Sequence, residues 1–332
     1  MSRFLVTGAT GFLGSHLVAT LRAEDHEVVT LSRSGGTSER GVTVRRGDVT
    51  DAASVRDAAA GCDGAFHCAG LVSRDPADAE AMFHVHVDGT STTLEALREA
   101  GIRRVVVAST SGTIAVSDDP NAIADEDAPA PVELITRWPY YRSKLYGERA
   151  ALERNQPGAF DVVCVNPSLL LGPGDDRGSS TEDVRKFLER KLPFCPGGGI
   201  AFVDARDAAR ALWLAFQRGK GGERYLVNAA NMTLQAFFGR LERLSGVKAP
   251  PVTLPRTTAT LAGVGVELLG RAARAVGMRM PVDRISAEMA QYFWYCEPRR
   301  AREELGWEAR DPGETLSDTI VDLRARGVVW PK

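Results

Sequence analysis

Tyr140 and Lys144 stand four residues apart in Tyr140-Tyr141-Arg142-Ser143-Lys144. On a helix that spacing puts both side chains on one face, one turn apart. A phenol titrates near pH 10 and is a poor acid or base at neutrality, but a neighbouring ammonium favours phenolate and lowers that value. The pair can therefore pass a proton to or from a substrate oxygen. Tyr141 cannot form it, because its i+4 partner is Leu145. Upstream, the apolar run Val105-Val106-Val107-Ala108 passes into Ser109-Thr110-Ser111-Gly112-Thr113. Hydroxyls at the carboxyl end of a buried strand can hold a carbonyl or alkoxide oxygen. For any one of them, satisfying the local backbone is the competing role.

A second constellation lies at the N-terminus. Thr7-Gly8-Ala9-Thr10-Gly11-Phe12-Leu13-Gly14 places three glycines at GxxGxxG spacing, after a strand-like run and at the start of a helical one. Gly8 permits the tight turn, Gly11 lets backbone amides approach a phosphate, and Gly14 lets helix pack on strand, which together make a pyrophosphate site. About 20 residues on, where an acid would hold a ribose 2′-hydroxyl, the chain has Leu31-Ser32-Arg33-Ser34. A guanidinium there suits a 2′-phosphate, so NADP(H) is favoured and NAD(H) remains possible.

Elements that could position these groups are visible as alternating patterns. Short β-branched runs at Phe4–Thr7, Val28–Leu31, Val42–Val44, Gly64–His67, Val105–Ala108 and Asp161–Val165 alternate with helical segments such as Phe12–Ala23, Ala52–Ala60 and Met82–Glu99. Buried parallel strands with crossover helices are expected, in an α/β, Rossmann-type doubly wound sheet. Residues 1–170 are expected to form the dinucleotide-binding domain and 171–332 mainly a smaller, mostly helical substrate lobe. Strand-like pieces at Ala201–Asp204 and Tyr225–Asn228 partly return to the sheet. Pro250, Pro251 and Pro255 precede a helix expected at Leu261–Ala275.

TGATGFLG, Gly47-Asp48-Val49-Thr50-Asp51, STS followed by YYRSK, and Asn166-Pro167-Ser168 with Gly172-Pro173-Gly174-Asp175 together resemble the extended short-chain dehydrogenases/reductases. Phe202–Asp207 and Leu305-Gly306-Trp307 extend the likeness over nearly the whole chain. Within that group, the epimerase/dehydratase superfamily, the chain is most similar to the dihydroflavonol reductase-like and hopanoid-associated epimerase-like branch.

The resemblance implies Ser111 as catalytic serine, Tyr140 as general acid/base, and Lys144 as both a nicotinamide-ribose ligand and the group lowering the tyrosine pKa. It implies Gly8, Thr10, Gly11, Phe12, Leu13 and Gly14 as cofactor-binding. Asp48 and Val49 would lie at the adenine, Cys68, Ala69 and Gly70 under the cofactor, and Pro167 and Ser168 by the carboxamide. Two departures stand out. His86 replaces the Asn usual in the NVxGT helix motif, and Cys68 lies in HCAG where HxAA is common. His86 is expected to take over the Asn's hydrogen-bonding role, and Cys68 to be an inert buried thiol.

The implied activity is NADP(H)-dependent reduction of a ketone or aldehyde, or oxidation of the alcohol, of a hydrophobic small molecule. A nucleotide-sugar epimerase with retained NAD and a 3β-hydroxysteroid dehydrogenase-like enzyme are the alternatives. Related nucleotide-sugar dehydratases carry an Asp-Glu pair where this chain has Gly112-Thr113-Ile114. A cofactor-sensing protein without catalysis would typically have lost Tyr140 or Lys144. Ser168–Gly172 is apolar, which favours a hydrophobic substrate. Pocket-wall candidates are Arg137-Trp138, Phe187–Phe194 and Tyr292–Tyr295.

Composition excludes other classes. The formal charge is −2, from 41 basic and 43 acidic side chains spread over 332 residues, so no field would attract a nucleic acid. Arg45-Arg46 and Arg103-Arg104 are short, and Pro298–Arg302 reads as a solvated helix face. Five cysteines without a CxxC pair suggest reduced thiols and no zinc knuckle or other metal site. No signal h-region fits before Arg3–Thr7, and Glu267 breaks the most apolar stretch, Ala259–Leu269, so no membrane span is expected. A cytoplasmic monomer or homodimer is the expectation.

Overall fold

The computed structural model describes residues 1–35, 38, 40–254 and 284–329. The expected helix at 261–275, the apolar stretch 259–269 and Pro255 lie outside them. The first half runs β1 (Arg3–Thr7), α1 (Phe12–Ala23), β2 (Glu27–Ser32), β3 (Val42–Arg46), α2 (Ala52–Ala59), β4 (Gly64–His67), α3 (Ala79–Phe83), α4 (Gly89–Glu99), β5 (Arg104–Ala108), the short α5 (Val132–Ile135), α6 (Pro139–Leu152) and β6 (Asp161–Pro167). The second half holds β7 (Leu169–Leu171), α7 (Glu182–Leu188), β8 (Cys195–Pro196), β9 (Gly199–Asp204), α8 (Ala205–Arg218), β10 (Arg224–Val227), β11 (Ala230–Thr233), α9 (Leu234–Ser245), β12 (Thr253–Leu254), a helix at Arg284–Met289 and a C-terminal helix at Pro312–Ala325.

Seven strands pair in the order β10-β6-β5-β4-β1-β2-β3, and every pairing is parallel. The order reverses between β1 and β4, which opens a crevice at the carboxyl ends of those two strands. Successive strand residues face opposite sides. Phe4, Val6, Val106, Val163 and Val165 pack with Leu17 and Leu21 of α1 and Ala208 and Leu212 of α8. Leu5, Val29, Val105, Val107 and Val162 pack on the other face with Val55 of α2 and Leu94 and Leu97 of α4. Burial on both faces explains why these strands read as unbroken apolar runs.

Of the two strand-like pieces expected to return to the sheet, the one at Tyr225–Asn228 does so as β10, but Ala201–Asp204 is β9 of a separate small sheet, because it pairs with its neighbours in the second half. β7, β9 and β11 form a three-stranded sheet, with β9 parallel to β7 and antiparallel to β11. It shares a separate apolar core with α7, α9 and the C-terminal helix, built around Phe187, Phe202, Phe237 and Ile320. Caps set these boundaries: Asp204 accepts from the Arg206 amide at 2.9 Å, Thr233 accepts from the Ala236 amide at 3.1 Å, and Gly246 ends α9 at φ +74°.

The basic run at 298–302 is helical from Arg299, with Arg299 and Arg302 partly exposed. Arg299 and Arg300 pair with Asp127, Arg300 also with Glu223, and Ala301 and Leu305 are fully buried in the first core. The segment is a clasp on the 125–127 loop, because its alternate side is apolar. Among the described residues no helix is long and apolar enough to cross a membrane, and no cluster of three metal-ligating side chains occurs.

Candidate active site

The turn between β1 and α1 is built on glycine. Gly8 has φ +70°, and a Cβ there would lie 2.5 Å from the Cys68 carbonyl; a Cβ at Gly14 would lie 2.2 Å from the Gly8 oxygen. The first amides of α1 have no carbonyl within the helix to bond, and Gly11 begins the helix without a side-chain cap. The neighbouring strand end is pinned beside it. The Cys68 amide donates to the Thr7 carbonyl at 3.1 Å, and His67, fully buried, bridges the Thr7 and Thr90 hydroxyls at 2.9 and 3.1 Å. Burial, with Lys144 nearby, pushes His67 down to about 3, so it is neutral. A rigid, amide-lined cradle of this kind fits a dinucleotide pyrophosphate.

Above the turn lies a cleft of about 900 Å³. Gly8, Thr10, Gly11, Phe12, Leu13 and Gly14 line it, together with Cys68, Ala69, Gly70, Ser111, Tyr140, Lys144, Pro167 and Ser168. The two constellations read from the sequence therefore share one cavity, at the crevice where strand order reverses. Of the pocket-wall candidates, Trp138, Leu192, Pro193, Phe194 and Trp294 line it; Arg137, Phe187, Tyr292, Phe293 and Tyr295 do not.

Arg33, Asp48 and Val49 lie outside the cleft lining, at the far end of the same sheet edge. Burial raises the Asp48 carboxyl, but hydrogen bonds from the Thr50 amide and hydroxyl, then the charges of Arg33 and His84, hold it below its usual value. Arg33 is exposed just beyond β2. The parallel register sets Ser32 opposite Arg46 and Leu31 opposite Arg45, so two further guanidinium side chains end the adjacent strand. Arg45 and Arg46 passed as an ordinary basic pair in the sequence, because strand register is not visible there.

α6 starts on Pro139 at its first position, where the missing amide costs nothing. The Lys144 ammonium donates to the Ala108 carbonyl at 2.7 Å, fixing the helix to the end of β5. Burial lowers the Lys144 pKa, partly offset by the Glu148 carboxylate. Burial, then the adjacent Tyr141, pushes the Tyr140 phenol above its ordinary value. The lowering expected from Lys144 is not seen here: the phenol is desolvated and the ammonium is committed to the Ala108 carbonyl.

His86 sits in a wide π turn, His84–Asp88, between α3 and α4, a form that recurs at functional sites. Its Nε2 accepts from the Leu71 amide at 3.0 Å, which assigns the proton to Nδ1, 2.8 Å from the Ser143 hydroxyl; that hydroxyl in turn donates to the Tyr140 carbonyl at 2.8 Å. One imidazole thereby joins the loop over the cleft to the first turn of α6. Burial, Lys144 and His67 push it down to about 2, so it is a neutral brace rather than a proton carrier. Gly147 permits the close approach, since a Cβ there would lie 2.2 Å from the His86 carbonyl oxygen. Burial drives the Cys68 thiol up to about 12, so it stays protonated at neutral pH where it lines the cleft.

Sequence reasoning missed Glu148. It follows Lys144 by one more helical turn on the same face, and its side chain is fully buried. Oε2 accepts from the Ser109 hydroxyl, from Thr113 at 3.0 Å and from the Asn166 amide at 2.6 Å, while Oε1 pairs with Arg224 at 3.2 Å. Ser109 and Thr113 flank Ser111, which is itself buried. Glu148 therefore ties the helix carrying Tyr140 to both sides of the Ser111 turn. The available signal was the third member of a Tyr140/Lys144/Glu148 stripe at i, i+4 and i+8.

Comparison with known proteins agrees with this architecture. The model of the NAD dependent epimerase/dehydratase family matches residues 4–228. A putative dihydroflavonol 4-reductase of Synechocystis sp. is 32% identical, over 98% of this chain and 96% of its own length. A 4-hydroxy-2-methyl-3-oxo-4-farnesyl-3,4-dihydroquinoline-1-oxide ketoreductase of Stigmatella aurantiaca is 31% identical, over 93% and 92% respectively. The crystal structure of gox2253 superposes with a TM-score of 0.84 at 28% identity, covering 99% of this chain and all of the other.

Proposed function

We propose that this chain, which belongs to the NAD dependent epimerase/dehydratase family, is an NADP(H)-dependent carbonyl reductase acting on a hydrophobic ketone or aldehyde. The observation that carries this reading is the convergence of Ser111, Tyr140 and Lys144 on the cleft that the glycine turn opens into. A nicotinamide bound there would supply the hydride. Ser111 holds the substrate oxygen, Tyr140 delivers its proton, and Lys144 fixes the helix end and holds a positive charge beside it. The Tyr140 phenol carries its proton at neutrality, as donation to a carbonyl oxygen requires.

The substrate end of the cleft supports an apolar compound. Leu169, Leu170, Phe194, Phe237, Phe238 and Trp294 line it, and Trp294 stacks on Tyr141 at 4.7 Å. The wall's Arg74 is paired with Asp183 at 3.1 Å, so this ion pair adds no net charge. Binding of such a substrate is expected through aromatic and aliphatic contact rather than through phosphate pairing.

Purified protein should consume NADPH stoichiometrically with a hydrophobic carbonyl, followed at the reduced-nicotinamide absorbance band over a carbonyl panel. Tightly retained NAD(H), sugar-nucleotide epimerisation and no net absorbance change would instead establish the epimerase alternative.

The preference for NADP(H) rests on Arg33 with Arg46 at the neighbouring strand end. Arg33→Asp should lower the NADPH-to-NADH affinity ratio, because a carboxylate repels a 2′-phosphate and accepts from a free 2′-hydroxyl. Dissociation constants for both cofactors measure this, and an unchanged ratio would leave Arg33 as a loop residue.

A further inference from the structure

The segment that follows β7 does more than lead to α7. It folds back over the start of α1, where His16 Nε2 lies 2.9 Å from the Pro173 carbonyl, and the Arg177 guanidinium donates to the Thr10 hydroxyl, inside the glycine turn, at 3.3 Å. The fold of this segment is fixed from within. The buried Asp175 carboxylate accepts from the Ser179, Ser180 and Thr181 amides at 3.1, 2.8 and 2.9 Å, and from the Ser179 and Thr181 hydroxyls. Arg326 of the C-terminal helix segment donates to the Asp175 carbonyl and pairs with Asp176 at 3.3 Å. Both acids of the segment are thereby engaged away from the turn, and Arg177 is the charge it directs at Thr10.

We propose that Arg177 is a pyrophosphate-anchoring residue, supplied to the dinucleotide by the substrate-side half of the chain. The inference rests on the reading of this cleft as a dinucleotide site. A guanidinium has five donors in a planar fork matched to phosphate oxygens, and a threonine hydroxyl takes one of them here. The cleft-lining positions of Thr10, Gly11 and Arg177 put that fork beside the amides at the start of α1. Pyrophosphate oxygens held by those amides would be shared with Arg177. Because the same segment leads directly into α7, which lines the cleft through Glu182, Asp183 and Lys186, cofactor occupancy fastens the substrate-side wall. Arg177 then sets how long the dinucleotide stays, which is what divides an exchanging reductase from an enzyme that retains its cofactor.

The test is the equilibrium binding of NADPH, NADH and ADP-ribose to the intact protein and to Arg177→Ala and Arg177→Lys, by fluorescence titration or calorimetry. Arg177→Ala should weaken all three by a similar factor, roughly 10- to 100-fold, the range for a lost hydrogen bond to a charged group. Arg177→Lys should recover part of the loss, since a point charge without the fork remains. The NADPH-to-NADH ratio should not move. Unchanged affinities in Arg177→Ala would overturn the proposal, and so would a loss confined to NADPH, which would put the guanidinium on the 2′-phosphate. If the unsubstituted protein binds none of the three ligands, the dinucleotide reading itself has failed, a result distinct from either. Arg177 is exposed, and an unchanged melting temperature of the ligand-free variants would separate binding loss from unfolding.

Discussion

Tyr140→Phe is expected to reduce turnover by roughly 10² to 10⁴, the contribution typical of a positioned general acid, with little change in fold or NADPH affinity. The substitution deletes one oxygen. Ser143 and His86 hold this turn through the Tyr140 backbone carbonyl, which remains, and the ring still packs edge-on to His86 at 5.8 Å. Tyr141→Phe provides the control. That ring stacks on Trp294, the phenol lacks the Lys144 spacing, and its loss should cost far less. Single-turnover rates with saturating NADPH would measure both, and equal harm from the two would refute the assignment.

Glu148→Ala should be the most destabilising single change near the site. It strands Arg224, whose side chain is only 21% exposed, and removes the shared acceptor of Ser109, Thr113 and Asn166. Removing one member of a buried pair costs roughly 3–5 kcal/mol, because the remaining charge stays desolvated. Glu148→Gln keeps the shape and part of the bonding and should lose less. Urea denaturation of the two variants would rank them. A surface-like effect of Glu148→Ala, below about 0.5 kcal/mol, would show that the carboxylate carries no such burden.

The parts of the molecule legible in its sequence were those written locally. The glycine turn, the Tyr140/Lys144 spacing and the alternation of apolar strands with helices each occupy a few neighbouring residues, and each defines geometry at short range. Glu148 was hidden because its partners Ser109, Asn166 and Arg224 are far away along the chain and meet it only after β5, β6, β10 and α6 assemble. The proximity of Arg45 and Arg46 to the Arg33 end depends on parallel register, which no pattern within one strand encodes. Ala201–Asp204 read as a strand, but its pairing with β7 and β11 instead of the main sheet rests on residues distant along the chain. The desolvation acting on the Tyr140 phenol was hidden for a similar reason: helical spacing reveals the neighbouring charge but not the burial.

The route of the chain through its own core has a consequence for how it can be made and cut. β10, the seventh strand, arrives only after the whole β7–α8 excursion, and Ala301, Leu305 and Trp307 complete the apolar layer beneath α1 and α8. The Trp307 indole donates to the Asp207 carbonyl at 2.9 Å and is 1% exposed. A nascent chain that has emerged only through β6 therefore presents an unpaired sheet edge and an uncovered apolar face, both of which invite association with other chains. A fragment ending at residue 170 would lack β10 and the part of this core that lies more than a hundred residues downstream, so it is expected to be less stable and more prone to associate than the whole chain.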